Sequence, residues 1–260
     1  MSTGLSSGAK NMAIDEFLAT RLVPLEQVPV FRIYAWQPYA ISLGYGQKRE
    51  ALDVKKCEED GFDIVRRPTG GRAVFHAEEI TYSVIIPITS ASYSPEILAM
   101  YKTISRGLSA GLRLSGINAE LVKREIKESK SSAYKNNIPC FSFSAQYEIA
   151  FNNKKLVGSA QRRYKQAVLQ HGSILTGNFH MKLVDYILFI SESEKEHFRI
   201  GLEKSTISIF QIINCEPDQQ MLVENLKLGM QQSFDIEFIE RQLTPQDLKE
   251  VDKMIINYLN

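Results

Sequence analysis

Cysteine, histidine and tryptophan are scarce in this chain: three, four and one among 260 residues. Cys57, Cys140 and Cys215 are odd in number and far apart, which fits neither a disulfide framework nor the paired spacing of a zinc site. A cytoplasmic protein is the expectation. No apolar run approaches the roughly 20 residues that cross a bilayer, so no membrane partner is expected. Residues 1–7 lack a basic stretch followed by an apolar one, which argues against a secretory signal. Thirty-one Lys and Arg against 30 Asp and Glu leave a net charge of +1, without the basic excess of a nucleic-acid binder. Hydrophobic residues reach 44%, enough to fill one large domain, or one domain with a small appendage.

Apolar spacing at Ala13, Ile14, Phe17, Leu18 and Leu22 predicts a helix over residues 12–22. Strands are predicted at 28–35 and 40–45, divided by Gln37-Pro38, and a short helix over 54–60 that stops at Gly61. Three strands follow at 62–67, 72–76 and 80–87, with a two-glycine turn joining the first pair. Ser94-Pro95-Glu96 opens a helix to about residue 114, Pro95 suiting its first turn. A strand at 118–123 leads into 123–137, a polar stretch without periodicity that reads as an exposed, mobile loop. Segments 147–151 and 155–161 form a hairpin about Asn152-Asn153, and 168–175 is another strand. The remainder is mainly helical. Thr244 and Asp247 mark the start of a terminal helix whose buried side is Leu248, Val251, Met254 and Ile255. The pattern predicts an α+β fold, a mixed sheet covered by helices, with a small C-terminal helical part.

The densest group of special residues is Arg66-Arg67-Pro68-Thr69-Gly70-Gly71-Arg72-Ala73-Val74-Phe75-His76. Adjacent glycines admit a ligand close to the main chain, and arginines can hold a phosphate or carboxylate through paired donors. A tight hairpin with a basic rim is the plainer reading. Cys57 and Cys215 lie among apolar residues and read as core. Cys140, in Ile138-Pro139-Cys140-Phe141 at a loop edge, is a candidate nucleophile. A thiol with a pKa of about 8.5 is mostly protonated at neutral pH and needs a cationic neighbour. Candidates for that neighbour are the histidines and Lys155, which heads Lys155-Leu156-Val157-Gly158-Ser159-Ala160-Gln161. Gly158, Ser159 and Ala160 leave room for a chain-like substrate, and Lys154 reads as an exposed hairpin lysine. For His76 and His171 a hydrogen-bonded structural role competes strongly with a ligand role; His180 and His197 receive no assignment.

Assembled in order, these segments resemble the lipoate ligase and octanoyltransferase branch of the biotin/lipoate protein ligase superfamily. The resemblance is carried by Asn11-Met12-Ala13-Ile14-Asp15, Arg66 through Val74, Thr81-Tyr82-Ser83-Val84, Lys155 through Gln161 and Leu169-Gln170-His171-Gly172-Ser173. Two features resemble the LipM-type octanoyltransferases in particular. Arg72 stands where ATP-dependent lipoate ligases usually carry a third glycine, and Cys140 falls where that type keeps its nucleophile, with Lys155 matching its neighbouring lysine. Ala77 departs from the aspartate that many relatives place after the motif histidine.

The resemblance implies a biotin/lipoate protein ligase catalytic domain over 1–215, with 216–260 a small helical segment packed on it. It implies Cys140 and Lys155 as catalytic residues. The acyl substrate is expected to lie against Arg67, Gly70, Gly71, Arg72, Val74, His76, Gly158, Ser159, Ala160, His171 and Gly172. No metal and no resident cofactor are expected, since the donor carries its own phosphopantetheine. The implied reaction moves octanoyl from octanoyl-acyl carrier protein to a lysine of a lipoyl domain, the glycine cleavage H protein or a dehydrogenase E2, through a cysteine thioester. Two rivals share the frame: an ATP-dependent lipoate-protein ligase, and an amidotransferase moving octanoyl or lipoyl from H protein to other lipoyl domains. A non-catalytic binder of acylated proteins is the reading from another class.

Overall fold

The structure, a computed structural model, describes residues 1–123 and 147–259. Cys140, and the loop expected at 123–137 beyond its first residue, lie outside the described residues. Ser2–Ser6 forms β1, and Gly8–Phe17 forms α1, whose first turn is capped by the Ser7 hydroxyl accepting from the Lys10 N–H. A π-helical turn, Leu18–Leu22, carries the chain into α2 (Val23–Glu26). β2 (Val30–Trp36), β3 (Ala40–Leu43) and α3 (Val54–Glu59) follow, then β4 (Asp63–Arg66), β5 (Val74–His76) and β6 (Glu79–Pro87). Next come α4 (Ile97–Leu114), β7 (Glu120–Lys123), β8 (Tyr147–Phe151), β9 (Lys154–Arg163) and β10 (Ala167–Leu175). The rest is helical: a 3₁₀ segment Phe179–Asp185, α5 (Glu192–Ser205), α6 (Ile209–Ile213), α7 (Gln219–Phe234) and α8 (Pro245–Ile255).

Seven strands make one sheet in the order β1-β2-β6-β10-β9-β8-β7, and β4-β3-β5 make a second. The α+β class and the helix-flanked mixed sheet agree with the sequence pattern. β6 is buried along its whole length, so its alternation divides two cores. Ile80, Tyr82, Val84 and Ile86 face Met100, Ile104, Leu108 and Leu112, a one-turn stripe on α4, together with Leu222, Leu226 and Met230 of α7. Ile85 faces the opposite way, toward Met12, Ala13, Ile14 and Phe17 of α1 and Val251 of α8. The two helices of 216–260 thus pack on different faces of the sheet. A third core joins the small sheet, through Ile41, Leu43 and Phe75, to Cys57, Leu183, Tyr186 and Leu202.

Several expectations need correction. The glycine-rich stretch is not a hairpin: β3 lies between β4 and β5, parallel to the first and antiparallel to the second. The loop therefore crosses the end of β3, close enough that a Cβ on Gly44 would stand 1.9 Å from the Gly71 carbonyl oxygen. Gly71 has φ +92°, whereas a Cβ on Gly70 would meet nothing within 4 Å, so one glycine of the pair is conformationally required. β1 was missed because Ser-Thr-Gly-Leu-Ser has no apolar alternation; it is an edge strand parallel to β2. α4 begins at Ile97 with Glu96 as its N-cap, leaving Pro95 before the cap rather than in the first turn. Cys57 is buried as read, but Cys215, just past the αL residue Asn214 that ends α6, is exposed. The Thr244–Asp247 capping box is present, though Leu248 faces outward. The hairpin turn stands as read, with Asn152 at φ 47° and Asn153 at φ 62°.

Gly172 of β10 opposes Ser159, and a Cβ there would lie 2.3 Å from the Gly158 carbonyl and 2.8 Å from the Tyr82 ring. Both neighbours are held in the sheet and cannot yield. Gly172→Ala is expected to cost about 3 kcal/mol in urea unfolding. Gly201→Ala, on α5 where a Cβ meets nothing within 4 Å, is expected to stabilise by roughly 0.5–1 kcal/mol.

Candidate active site

Between the small sheet and the β9–β10 pair lies a cavity of about 710 Å³. One wall is the crossing loop, with Arg67, Gly70, Gly71 and Arg72, continued by Val74 and His76 of β5. The facing wall is Lys155, Gly158, Ser159 and Ala160 of β9, with His171 and Gly172 of β10. Met12, Tyr34 and Trp36 supply its apolar part. Glycine, serine and alanine at successive positions of β9 leave backbone as the lining, which suits a slender chain. Every substrate-site residue nominated from the sequence lines this one space, as does Lys155; Cys140 lies outside the described residues.

Two buried carboxylates fix the two histidines. Asp15, fully buried, bonds Arg32 Nη1 at 2.6 Å, accepts from Ser83 Oγ at 2.8 Å, and faces His171 Nδ1 at 3.0 Å. Burial alone would raise its pKa, but Arg32, His171 and Ser83 together hold it below the ordinary value. Burial lowers the pKa of His171, the Asp15 contact opposing without prevailing. A neutral ring whose Nδ1–H donates to Asp15 must accept at Nε2, so the Thr69 hydroxyl donates across the 2.6 Å contact. His171 thereby ties the helix-side carboxylate to the glycine loop. The second chain runs from Glu79 to His76 Nδ1 at 2.7 Å, and from His76 Nε2 to Ser42 Oγ at 2.7 Å. Glu79 also receives Thr81 at 2.6 Å and Ser173, and Trp36 stacks on His76 at 4.1 Å between centroids. Both rings are engaged at both nitrogens, the structural role their sequence context allowed, while each also lines the cavity.

The arginine pair departs from the anion-holding expectation. Arg67 donates to the carbonyls of Ser42, Gly70 and Arg72 at 3.0, 2.9 and 2.6 Å, bracing the loop from within. Arg66 similarly reaches the carbonyls of Gly44 and Tyr45 at 3.2 and 3.3 Å, and that of Gln47. Lys155 is buried, with Nζ 2.8 Å from Glu148 Oε1 across the β8–β9 hairpin. A bulge between Ile149 and Ala150 sets that register, and pairing of β9 with β8 ends at Val157. Lys154 bonds the Glu203 carbonyl at 3.1 Å, fastening α5.

Asp15, Arg32, Glu79 and Glu148 received no role from sequence. Asp15, Arg32 and Glu148 did carry a signal, a charge placed inside an apolar segment where burial demands a partner; Glu79, next to Glu78, carried none. His180, also unassigned, is buried against Thr206 Oγ1 at 3.0 Å. Among the described residues no cluster of three or more His, Cys, Asp or Glu is placed to hold a metal ion.

Fold and cavity together define an α+β protein with a glycine-walled slot between its two sheets. The chain belongs to the lipoyl protein ligase A/B catalytic domain family, whose pattern matches residues 7–234. It is 37% identical over 254 residues to octanoyltransferase LipM of Clostridioides difficile (strain 630), spanning 97% of this chain and 93% of that protein. Its fold is similar to a bipartite lipoate protein ligase of Thermoplasma acidophilum, solved within an archaeal lipoylation system, at TM-score 0.76, 19% identity, and 97% and 89% coverage. It is also similar to lipoate-protein ligase A bound with ATP, at TM-score 0.75, 20% identity, and 98% and 92% coverage.

Burial holds His171 below its ordinary pKa of 6.5 and His180 at about 4. The unfolded chain binds protons at these rings near pH 6.5, before the folded protein does, so stability falls as pH drops below that value. For His180 the window runs from 6.5 down to about 4. The urea midpoint is expected to decline from pH 7 to pH 5, and more gently in His180→Gln. A midpoint flat over that range in the parent protein contradicts the neutral buried rings.

Proposed function

We propose that this chain transfers an octanoyl group from octanoyl-acyl carrier protein to a lysine of a lipoyl domain, through a thioester on Cys140. The observation that carries the reading is the placement of Lys155: a buried ammonium on the cavity wall, beside the small residues Gly158, Ser159 and Ala160. In this mechanism the Lys155 charge favours the Cys140 thiolate. The sulfur attacks the thioester carbonyl, a tetrahedral adduct forms, and the carrier thiol leaves with a proton. The two thioesters are close in free energy, so no activating nucleotide is required. The acceptor amine then attacks the octanoyl-enzyme, returns the thiol and forms an amide, a step that is downhill and drives turnover. Glu148 keeps the ammonium in place between these steps. No resident cofactor takes part; phosphopantetheine arrives with the donor. The acceptor is the glycine cleavage H protein or a dehydrogenase E2, and the reaction belongs in the cytoplasm.

An ATP-dependent ligase shares the fold. Arg72 favours the ATP-free route, because it lines the cavity at the position where ATP-dependent lipoate ligases usually carry a third glycine. Release of pyrophosphate with free lipoate and ATP would decide for the ligase.

Incubation with octanoyl-acyl carrier protein is expected to add one octanoyl group to the intact mass, and Cys140→Ala to abolish the adduct. An adduct that survives in Cys140→Ala moves the nucleophile elsewhere. Lys155→Met combined with Glu148→Gln removes the ammonium without stranding a buried carboxylate. Its rate is expected to fall about 100-fold at pH 7 and to recover much of the loss above pH ~8.5, where a free thiol ionises unaided. An equal loss at both pH values would assign Lys155 to geometry instead.

A further inference from the structure

The chain is almost neutral, yet its charge is segregated around the cavity. Three segments build the cavity's two walls and mouth: 40–49, 64–77 and 154–177. They hold ten Lys and Arg and not one Asp or Glu, in a protein with 31 of the former and 30 of the latter. The carboxylates close to the cavity, Asp15, Glu79 and Glu148, are buried against Arg32, His76 and Lys155. They cancel charge inside without offsetting charge at the mouth. Acidic groups resume at Glu50 and Glu78, just beyond these segments.

At the mouth, Tyr45 is 66% exposed and flanked by two guanidinium groups. Arg66 donates to its carbonyl, and Arg162 lies 5.4 Å from its ring centroid while donating to the Pro68 carbonyl at 2.8 Å. Both arginines are thus positioned by neutral main-chain groups and keep their positive field. Lys48 is exposed next to the lining residue Gln47, and half-buried Arg72 lies on the cavity wall. An exposed tyrosine held by arginines has the composition of an interface anchor.

We infer that this rim of Lys48, Arg66, Arg72 and Arg162 about Tyr45 is the docking surface for the acyl donor, an acidic carrier protein. The inference rests on the acyl-transfer reading and adds to it which partner approaches here and by what force. The donor presents a phosphodiester at the root of its arm, which a cationic rim attracts. The acceptor's reacting group is a lysine, which brings no anion to this rim. Exposed charges of this kind act through encounter rate and weak affinity, and salt screens them.

The test compares two donors of one acyl group: octanoyl-acyl carrier protein, and the octanoyl thioester of N-acetylcysteamine, which has neither protein nor phosphate. The ratio of their kcat/KM values is measured for the parent chain, Lys48→Glu, Arg162→Gln and the double variant, from about 20 to about 500 mM salt. The double variant is expected to lower the ratio about ten-fold at low salt, through KM for the carrier, and to flatten its decline with salt. Lys48→Glu, at an exposed site, reports the effect without disturbing the brace on Pro68. An unchanged, salt-independent ratio overturns the docking assignment, as does a KM shift confined to the lipoyl-domain acceptor. Transfer from neither donor by the parent chain sinks the acyl-transfer reading itself, and the docking surface with it.

Discussion

The site depends on one buried carboxylate. Asp15 leaves α1 and meets Arg32 of β2, Ser83 of β6 and His171 of β10, so a single side chain joins the helix to three neighbouring strands. Ionised in a dry interior, it would be costly alone, and removing one partner of such a pair typically costs about 3–5 kcal/mol. Its contacts reach outward as well. Through His171 it holds the Thr69 hydroxyl, and the Thr69 carbonyl in turn accepts the Tyr45 N–H at 2.9 Å. The loop that walls the cavity is therefore positioned from the core of the large sheet, not by its own turn.

This architecture explains why the loop carries both glycine and arginine. The glycines permit close approach, Gly44 against Gly71 being the tightest, and close approach alone gives no fixed shape. Arg67 supplies the shape by tying the carbonyls of Gly70 and Arg72 in the loop to that of Ser42 in β3. A motif that reads as an anion clamp in one dimension is, in three, a loop with its own internal brace.

Periodicity made the framework legible: the α1 stripe, the β8–β9 hairpin on two αL asparagines and the α8 capping box all follow local rules. What escaped was non-local. No spacing shows that β3 inserts between β4 and β5, because strand order is set by which faces must be covered, and both are apolar. β1 escaped because it joins the sheet through backbone bonds that its side chains do not advertise. The site residues were legible as a set, since special residues converge where the chain must bend, but their division of labour was not. His76 and His171 read in sequence as structural or ligand-facing, and they prove to be both, bonded at both nitrogens while lining the cavity. Asp15 and Glu148 interrupt apolar runs with no partner visible in sequence, Glu79 sits beside a second glutamate, and all three prove to be the anchors.

Charge distribution links the two scales. Where the described segments around the cavity mouth, 40–49, 64–77 and 154–177, hold no Asp or Glu, an internal carboxylate left exposed would offset the rim. Asp15, Glu79 and Glu148 avoid that offset by burial against a cation or an imidazole each. The same pairing fixes Lys155 on the cavity wall while the described rim residues remain positive. Net charge near zero thus conceals an uneven distribution among the described residues, with buried carboxylates inside and cations at the rim.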